Sequence, residues 1–452
     1  MITPLTKISM IALFSWMIGV SGGISQTALD TYIGQAMSNN LVLQQKNISL
    51  QRAQEALKIA RSYNYPSISF KADYLSGEGG RYIALPLGDL MNPVYSTLNA
   101  LTGSNAFPQI ANQETNFLPN NYYDARVHAQ MPLLNTDIMY NKRIQESQIL
   151  LSELEIEVYK KELVKEIKVA YFRYLSAVQA TRIYESSLGL AKEGLRYNQS
   201  LVTNGKAVRA YVLRSESEVR DLESRITEMK QTSDNARRYF NFLINADANA
   251  EINIQQPADS DLIPVKEKML ENPNVSGREE MAMMDESEKI YRNLVSMQNK
   301  YWTPQINGFV DLGSQAQDWE FSDKSRYYFV GVTMEIPLFA GGKNAAEKSQ
   351  ANLDLKNQQL ANTYAKQQLQ LAAEIAQNQL VIAYENYLSA QKQKQAASEY
   401  ERLIDKAYRE GVGTFIETID ARNQLTLAGI QENIRKYEVL IALAEYNRQI
   451  TN

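Results

Sequence analysis

Few residues of this chain are arranged to do covalent or metal chemistry. The sequence has no cysteine and one histidine, His128. Without cysteine there is no disulfide, no thiolate metal site and no lipid-anchored cysteine, and one imidazole supplies too few ligands for a metal site within one chain. No phosphate-binding loop, His-Glu-x-x-His site or nucleophile elbow occurs. The sequence therefore predicts no catalytic residue, no cofactor and no bound metal, and the protein is not expected to be an enzyme.

The composition and the first residues indicate an exported protein that does not bind nucleic acid. The chain has 452 residues and a formal net charge of −4, whereas nucleic acids attract basic surfaces. An apolar run over residues 8–20 follows Lys7 and precedes small residues, which is the order of a secretory signal peptide. No later segment is apolar for long enough to cross a membrane as a helix. A membrane location would therefore require β-strands.

The sequence of the chain contains an internal duplication. Residues 169–177 match residues 382–390 at six of nine positions. A Pro-Leu pair at Pro132 recurs at Pro337, and a Pro-led alternating segment at Pro66 recurs at Pro304. Three matches in the same order indicate internal duplication. Each half is predicted to run through a helix, a strand that begins at proline, a loop, a strand that ends at proline, and a long helical stretch.

Four segments of about 10 residues alternate between apolar and polar residues, as half-buried strands do. In the second, Tyr123, Val127 and Met131 fall on one face, with Arg126 and His128 on the other. Such segments suit tilted strands of a membrane β-barrel, apolar side out. A soluble antiparallel sheet with one wet face gives the same alternation. Four strands cannot close a barrel, so the membrane interpretation also requires an oligomer.

The stretches Pro132–Gly205 and Pro337–Gly411 contain no internal proline and are rich in good helix formers. Apolar residues recur in them at steps of three and four, which is coiled-coil spacing. About 72 residues at a rise of ~1.5 Å predict a helix near 110 Å, longer than a compact domain needs. Glycines at the far ends, Gly205, Gly411 and Gly413, are predicted to allow the positive φ of a helix C-cap.

These patterns predict eight segments, which overlap only where a loop is inserted in a strand pair. They are a signal peptide (1–25), an N-terminal helix (26–65), a first strand pair (66–132) with a long extracellular insertion (75–121), a first helical hairpin with its tip near 203–207 (133–244), a linker and helix (245–303), a second strand pair (304–337) and a second helical hairpin with its tip near 409–414 (338–452).

The order and spacing of these features resemble the TolC-type outer-membrane efflux protein family. Residues 337–342, Pro-Leu-Phe-Ala-Gly-Gly, are similar to the strand-to-helix junction of the family, and residues 411–421 are similar to its helix tip. The resemblance implies a mixed fold of α-helical coiled coil and transmembrane β-barrel with four strands per chain. It implies a homotrimer with a 12-stranded barrel in outer-membrane lipid, continued by a periplasmic α-helical tunnel. It also implies a periplasmic adaptor and an inner-membrane pump as partners.

The resemblance also suggests residues for a periplasmic gate. Glu417 and Asp420 match the acidic pair that follows the tip turn of the family. Symmetry would repeat each carboxylate around a narrowing pore and favour cations there, although both acids would also stabilise the start of a helix. Tyr408 matches a tyrosine that helps to hold the tip shut, and a packed coiled-coil aromatic is the alternative.

Two positions depart from the family pattern. The tip arginine of the family falls on Gly413, and the partner aspartate of the first repeat falls on Tyr211. The polar clasp of the tip is therefore expected to be absent or built differently. Arg209 and Arg214 are nearby candidates for replacing it.

The predicted function is an outer-membrane exit channel of a tripartite efflux or type I secretion system. The alternative is a secreted or periplasmic coiled-coil scaffold or adaptor protein without a pore, which would not need two strand-bearing repeats. Drug efflux, metal efflux and protein secretion use similar ducts, so the sequence predicts no cargo.

Overall fold

The structure is a computed structural model that describes residues 28–77, 79–117, 120–257 and 262–450. The predicted signal peptide lies outside the described residues. In chain order the elements are α1 Ala28–Asn39, α2 Leu41–Ser62, β1 Ser67–Leu75, β2 Tyr82–Leu85, α3 Leu87–Thr102, β3 Gln113–Asn116, β4 Tyr122–Leu134, α4 Thr136–Thr203, α5 Arg209–Leu243, α6 Ile263–Leu270, α7 Glu279–Asn299, β5 Gln305–Gln317, β6 Arg326–Glu335, α8 Lys343–Arg409 and α9 Phe415–Gln449.

The two halves of the chain contain the same series of elements. In the first half α2 leads into β1, and β4 leads into α4 and α5; in the second half α7 leads into β5, and β6 leads into α8 and α9. The long helices have 68 and 67 residues, and the returning helices have 35 residues each. This order agrees with the predicted repeat of helix, strand, strand and long helix.

The single N-terminal helix predicted for residues 26–65 is two helices, α1 and α2. Asn40 separates them because its side chain acts as the N-cap of α2. The Asn40 Oδ1 accepts a hydrogen bond from the Leu43 N–H at 3.0 Å. The same side chain donates to the Leu243 carbonyl at 3.0 Å and accepts from the Tyr159 hydroxyl at 3.0 Å. Hydrogen bonds from Asn40 to residues far away in sequence therefore help to set the boundary between α1 and α2.

The strands form an antiparallel sheet in the order β1-β4-β5-β6. The register aligns residues of one face across all four strands, for example Phe70, Val127, Leu312 and Tyr328. These apolar side chains are exposed, with Phe70 at 70% and Tyr328 at 74% of their full area. The predicted alternation of the strands therefore produces one continuous apolar face on the sheet.

The prediction that the second strand ends at Pro132 is wrong. β4 continues to Leu134, and its register with β5 shifts between Pro132 and Leu134. Proline has no N–H to donate to a neighbouring strand, so it is tolerated in a strand at a bulge. The other three prolines lie outside the strands: Pro66 and Pro304 precede β1 and β5 directly, and Pro337 follows the end of β6 by two residues.

The insertion between β1 and β4 has secondary structure of its own. β2 and β3 pair as an antiparallel ladder from Tyr82↔Asn116 to Leu85↔Gln113, and α3 lies between them in sequence. At the base of the insertion the Ser76 hydroxyl donates to Asn120 Oδ1 at 3.2 Å. The sequence predicted the bounds of this insertion but no element within it.

The chain divides into two compact units. The helical unit comprises Val158–Ser276, Leu369–Asn452 and the chain up to Gln45, and its core centres on large buried side chains such as Leu163, Phe240 and Tyr446. The strand unit comprises Lys46–Glu157 and Gly277–Gln368 and contains both sheets. Among the residues that the structure describes, no helix combines the length and the hydrophobicity needed to cross a membrane.

Candidate functional site

The two helical hairpins turn in the same way at a glycine. Gly205 has φ of 69° and Gly411 has φ of 83°, in the left-handed region that glycine adopts most readily. At the second tip the Val412 N–H donates to the Ala407 carbonyl at 2.9 Å, and the first tip has the equivalent bond at 2.8 Å. These bonds define the Schellman end of a helix. Both tips are thus fixed by local backbone geometry.

Gly413 serves a different purpose from the one predicted. Its φ is not among the positive values of the described residues. A Cβ at this position would lie 2.9 Å from the Tyr408 backbone nitrogen and 3.1 Å from the Ala407 carbonyl carbon. The chain therefore needs glycine here because two backbone segments approach closely. This backbone leaves no room for a side chain at the position where the family pattern has arginine.

Tyr408 joins three helices of the tip through a buried asparagine. The Tyr408 hydroxyl donates to Asn198 Oδ1 at 2.9 Å, and Asn198 Nδ2 donates to the Ser215 hydroxyl at 2.9 Å. Asn198 and Ser215 are each only 1% exposed. Burial raises the pKa of Tyr408, so its hydroxyl keeps the proton that it donates. The arrangement links α8 to α4 and, through Asn198, to α5.

A buried arginine and a buried glutamate lie next to this network, and neither was predicted from the sequence. Arg422 of α9 is 8% exposed and Glu218 of α5 is 9% exposed. Burial raises the pKa of the Glu218 carboxyl, while the positive charges of Arg422 and Arg214 oppose that rise. Among the described residues, Glu218 Oε1 and Arg422 Nε have no hydrogen-bond partner. Uncompensated polar atoms of this kind cost free energy.

Arg422 is also one of a row of polar contacts between α4 and α9. Its guanidinium lies against Gly194, where a Cβ would come within 2.9 Å of Nη1. Further along, the buried hydroxyls of Ser187 and Thr426 lie 2.8 Å apart, and Asn433 Nδ2 donates to the Ser176 carbonyl at 2.9 Å. Polar groups at a helix seam fix the relative register of the two helices. The only sequence signal was the spacing of polar residues 422, 426 and 433 within an otherwise apolar seam.

The predicted gate acids differ in their surroundings. Glu417 forms a capping box with Thr414: its carboxylate accepts from the Thr414 N–H at 2.9 Å, and its own N–H donates to the Thr414 hydroxyl at 3.3 Å. These hydrogen bonds, the backbone one first, lower the pKa of Glu417. Asp420 is exposed one turn further along. Glu417 is therefore a helix cap, and its exposed position also leaves its charge at the tip surface.

Aromatic side chains contact one another at the helix tip, where the family pattern has a polar clasp. The Tyr211 ring lies 4.8 Å from the Phe415 ring, and Phe415 lies 6.1 Å from Tyr408. Of the two arginines suggested as replacements, Arg214 acts on the buried Glu218, whereas Arg209 is the first residue of α5. The structure thus places Arg214 near Glu218, and Tyr408 next to Asn198 and Phe415.

A cleft of about 430 Å³ opens beside Tyr408 and Asn198, between α4, α8 and α9. Its charged lining consists of Glu193, Glu401, Asp405, Arg409 and Arg422. Asp405 and Arg409 form an ion pair at 2.7 Å. The tip cluster of Tyr408, Asn198, Glu218 and Arg422 is therefore polar inside and bordered by charged side chains. Such an arrangement can hold helices in register but presents no nucleophile with an adjacent base.

The polar face of the main sheet carries the single histidine. His128 Nδ1 lies 2.5 Å from Asp311 Oδ1 on the neighbouring strand. Arg126 contacts Asp124, whose other oxygen accepts from the Tyr327 hydroxyl at 2.6 Å. Within the described part of the chain, no three side chains of the types that bind metals come together. These polar side chains are thus joined by contacts within β4 and by hydrogen bonds to the neighbouring strands.

Three comparisons with known proteins agree with this fold of a four-stranded sheet and long helical hairpins. Residues 276–447 match the family described as outer membrane efflux protein. The alkaline protease secretion protein AprF of Pseudomonas aeruginosa is 22% identical over 345 residues, 71% of this chain and 68% of AprF. A solved membrane protein from Pseudomonas aeruginosa has a TM-score of 0.74 and 17% identity, with 97% of each chain covered. The outer membrane protein VceC from Vibrio cholerae has a TM-score of 0.72 and 12% identity, with 93% of this chain and 95% of VceC covered.

Together these matches confirm the predicted resemblance to outer membrane efflux proteins of the TolC type. The family and its structural neighbours are channels and not enzymes, in agreement with the predicted function. The mixed helical and antiparallel fold is confirmed as well.

Proposed function

We propose that this chain is one subunit of a homotrimeric exit channel in the outer membrane. Four strands from each of three subunits would close a 12-stranded barrel, and the helical hairpins would continue it as a periplasmic tunnel. The observation that carries the proposal is the exposed, in-register apolar face of a sheet whose strands lead into helices of 68 and 67 residues. An apolar outer face and a polar inner face are the pattern of membrane barrels.

Aromatic residues at both ends of the sheet support a position in lipid. Tyr65 and Trp302, which precede β1 and β5, are exposed. At the opposite end Trp319 stacks on the rings of Tyr74 and Tyr123, each with ring centroids 5.5 Å apart. Aromatic girdles mark the two membrane interfaces of barrel proteins. The apolar band between these girdles would therefore face lipid.

The sheet leaves two edges for neighbouring subunits. β1 and β6 each pair with one strand of the described sheet and form its edges. An exposed edge presents unpaired backbone groups, and closure of a barrel removes such edges. Pairing of β1 in one subunit with β6 in the next would satisfy both edges in a closed ring of three.

Cysteine pairs across this junction test the trimer. Because the chain has no cysteine, Ser69→Cys can be combined with cysteine at position 327, 329, 333 or 335, all on the same face of β6. We expect one or two of these pairs to give disulfide-linked trimers in outer-membrane fractions extracted with detergent. Controls pair Ser69→Cys with cysteine at Val330 or Val332, on the opposite face. A chain that stays soluble without detergent and gives no linked trimer would favour a scaffold or adaptor without a pore.

Within this channel the tip would be the periplasmic gate, and Glu417 and Asp420 would contribute acidic rings. Replacing Glu417 by Gln and Asp420 by Asn is expected to weaken block by divalent cations and to reduce cation preference in planar bilayers. Glutamine at the third helical position preserves a capping box, so the charge is tested apart from the helix cap. Exposed Glu410→Gln, just before the turn, serves as the control. Unchanged block and selectivity in the double variant would remove both acids from the gate.

The channel would receive substrate from an inner-membrane pump through a periplasmic adaptor. Its helical tips, which would lie in the periplasm, are where such partners would engage. The predicted signal peptide would direct the chain across the inner membrane.

A further inference from the structure

One face of α3 is filled by the chain that follows it. Asn92 Nδ2 donates to the Ile110 carbonyl at 3.0 Å, and Asn92 Oδ1 accepts from the Ile110 N–H at 2.9 Å. One heptad later Asn99 makes the same pair of bonds with Phe107, at 2.8 and 3.0 Å. Asp89 and Asn112 add two more bonds at 3.1 Å. The insertion is therefore a clasped unit in which the asparagine face of the helix is already occupied.

The opposite face of α3 is apolar and has no partner in the described chain that would cover it. Its residues are spaced by four, three, four and three, which is the heptad spacing of a coiled-coil seam. They are Leu87, Met91, Val94, Leu98 and Leu101. Leu101 is 78% exposed and Val94 is 49% exposed, and Leu90, on the flank of the seam, is 66% exposed. Such a seam is suited to another helix with the same spacing.

The charge of α3 argues against a lipid surface as its partner. Its 16 residues include Asp89 but no lysine or arginine, whereas helices that lie on membranes carry basic residues on their polar face. Two heptads are also too short to associate from solution, because isolated helices of this length are marginal. A partner must already be held nearby, where a high effective concentration offsets the cost of association.

We propose that α3 packs against the α3 helices of the other two subunits and forms a three-helix plug over the outer mouth of the channel. This inference rests on the proposed trimer, whose symmetry places three identical insertions around one axis. The insertion joins the ends of β1 and β4 that lie opposite α2 and α4, so it belongs to the outer end of the barrel. Hydrogen bonds from Ser76 to Asn120 and from Tyr74 to Asn121 hold its two ends together.

Single cysteines in this cysteine-free chain test the plug. Val94→Cys lies in the seam, and Ala100→Cys is an exposed control on the far side of the same helix. Mild oxidation of outer-membrane fractions is expected to link Val94→Cys chains in pairs, with at most about two of every three chains linked because three cysteines on one axis form one disulfide. Ala100→Cys should stay monomeric under the same conditions. Adding Leu98→Asp should abolish the Val94→Cys dimer, because carboxylates would then meet in the seam.

The disulfide between β1 and β6 is measured on the same membranes to separate the two proposals. A linked trimer with Val94→Cys no more reactive than Ala100→Cys would overturn the plug and leave the channel standing. Attachment of Val94→Cys to another protein, or preferential reaction with a lipid-soluble maleimide, would also overturn it. Absence of the β1–β6 link would overturn the plug together with the trimer. A channel of unchanged conductance after the paired change Val94→Asp and Leu98→Asp would contradict closure by the seam, since the plug is expected to open and conductance to rise.

Discussion

Replacing Arg422 by methionine is expected to loosen the helix tip substantially, because Arg422 is the buried cation beside the buried Glu218. Methionine keeps much of the volume of the side chain and removes its charge and its N–H donors. Glu218 would then lose the positive charge that opposes the rise of its pKa, and a buried charge left without compensation can cost about 3 kcal/mol. In the proposed trimer the change would be repeated three times around the tip. We expect larger and more frequent openings in planar-bilayer recordings.

The control for this change is Arg220→Met on α5. Arg220 is 85% exposed and pairs with Glu223 at the surface, and exposed pairs contribute about 0–1 kcal/mol. If Arg422→Met opens the tip no more than Arg220→Met does, Glu218 and Arg422 do not stabilise the tip. The double variant Arg422→Met with Glu218→Gln should recover part of the closed state, because no charge is then left buried.

The same pair predicts a dependence on pH with a defined sign. Burial raises the pKa of Glu218 above its unfolded value, so the folded tip binds this proton more tightly than the unfolded chain does. The contribution of Glu218 to tip stability is therefore fully present below its unfolded pKa and is lost as the pH rises through its folded pKa. Arg422→Met should move this loss of stability to higher pH, because the charge of Arg422 lowers the pKa of Glu218. Glu218→Gln should flatten the dependence, which the open fraction recorded as a function of pH will measure.

The elements of this fold could be predicted from the sequence where local chemistry determines them. Gly205 and Gly411 end helices because a left-handed residue is needed there, and the alternation around Val127 sets a strand face whatever lies beyond it. Pro66 and Pro304 precede strands for an equally local reason, the missing N–H. Each of these sequence features occurs in both halves of the chain, and the second occurrence supports the prediction made from the first.

Features set by distant partners could not be read from the sequence. Asn40 divides the N-terminal helix while also bonding to Leu243. The charge of Arg422 acts on the pKa of Glu218 from a helix far away in sequence. Charged residues on a helix are usually solvated, so nothing local marked these two as buried. The asparagines that clasp α3 were equally hidden, since Asn92 matters only because the chain returns to it at Ile110.

Replacing Asn198 by leucine is expected to have the second large effect on the tip. Asn198 accepts from the Tyr408 hydroxyl and donates to the Ser215 hydroxyl, each at 2.9 Å. Leucine has a similar size but cannot make either bond, so two largely buried hydroxyls would lose their partner. Each unsatisfied group costs about 1–3 kcal/mol. We expect Asn198→Leu to raise the open fraction of the channel and to lower the temperature at which the trimer dissociates in detergent.

Tyr408→Phe then decides between the two interpretations of this tyrosine. If Tyr408 holds the tip through its hydrogen bond, phenylalanine weakens the tip because Asn198 Oδ1 loses its donor. The double variant with Asn198→Leu should then cost less than the sum of the single changes, as expected for residues in direct contact. Tyr197→Phe is the matched control, because Tyr197 contacts Tyr408 through its ring, with centroids 5.8 Å apart. Tyr408→Phe could instead have as little effect as Tyr197→Phe, and its effect could add to that of Asn198→Leu. Tyr408 would then stabilise the tip by ring packing alone, because packing needs the ring and not the hydroxyl.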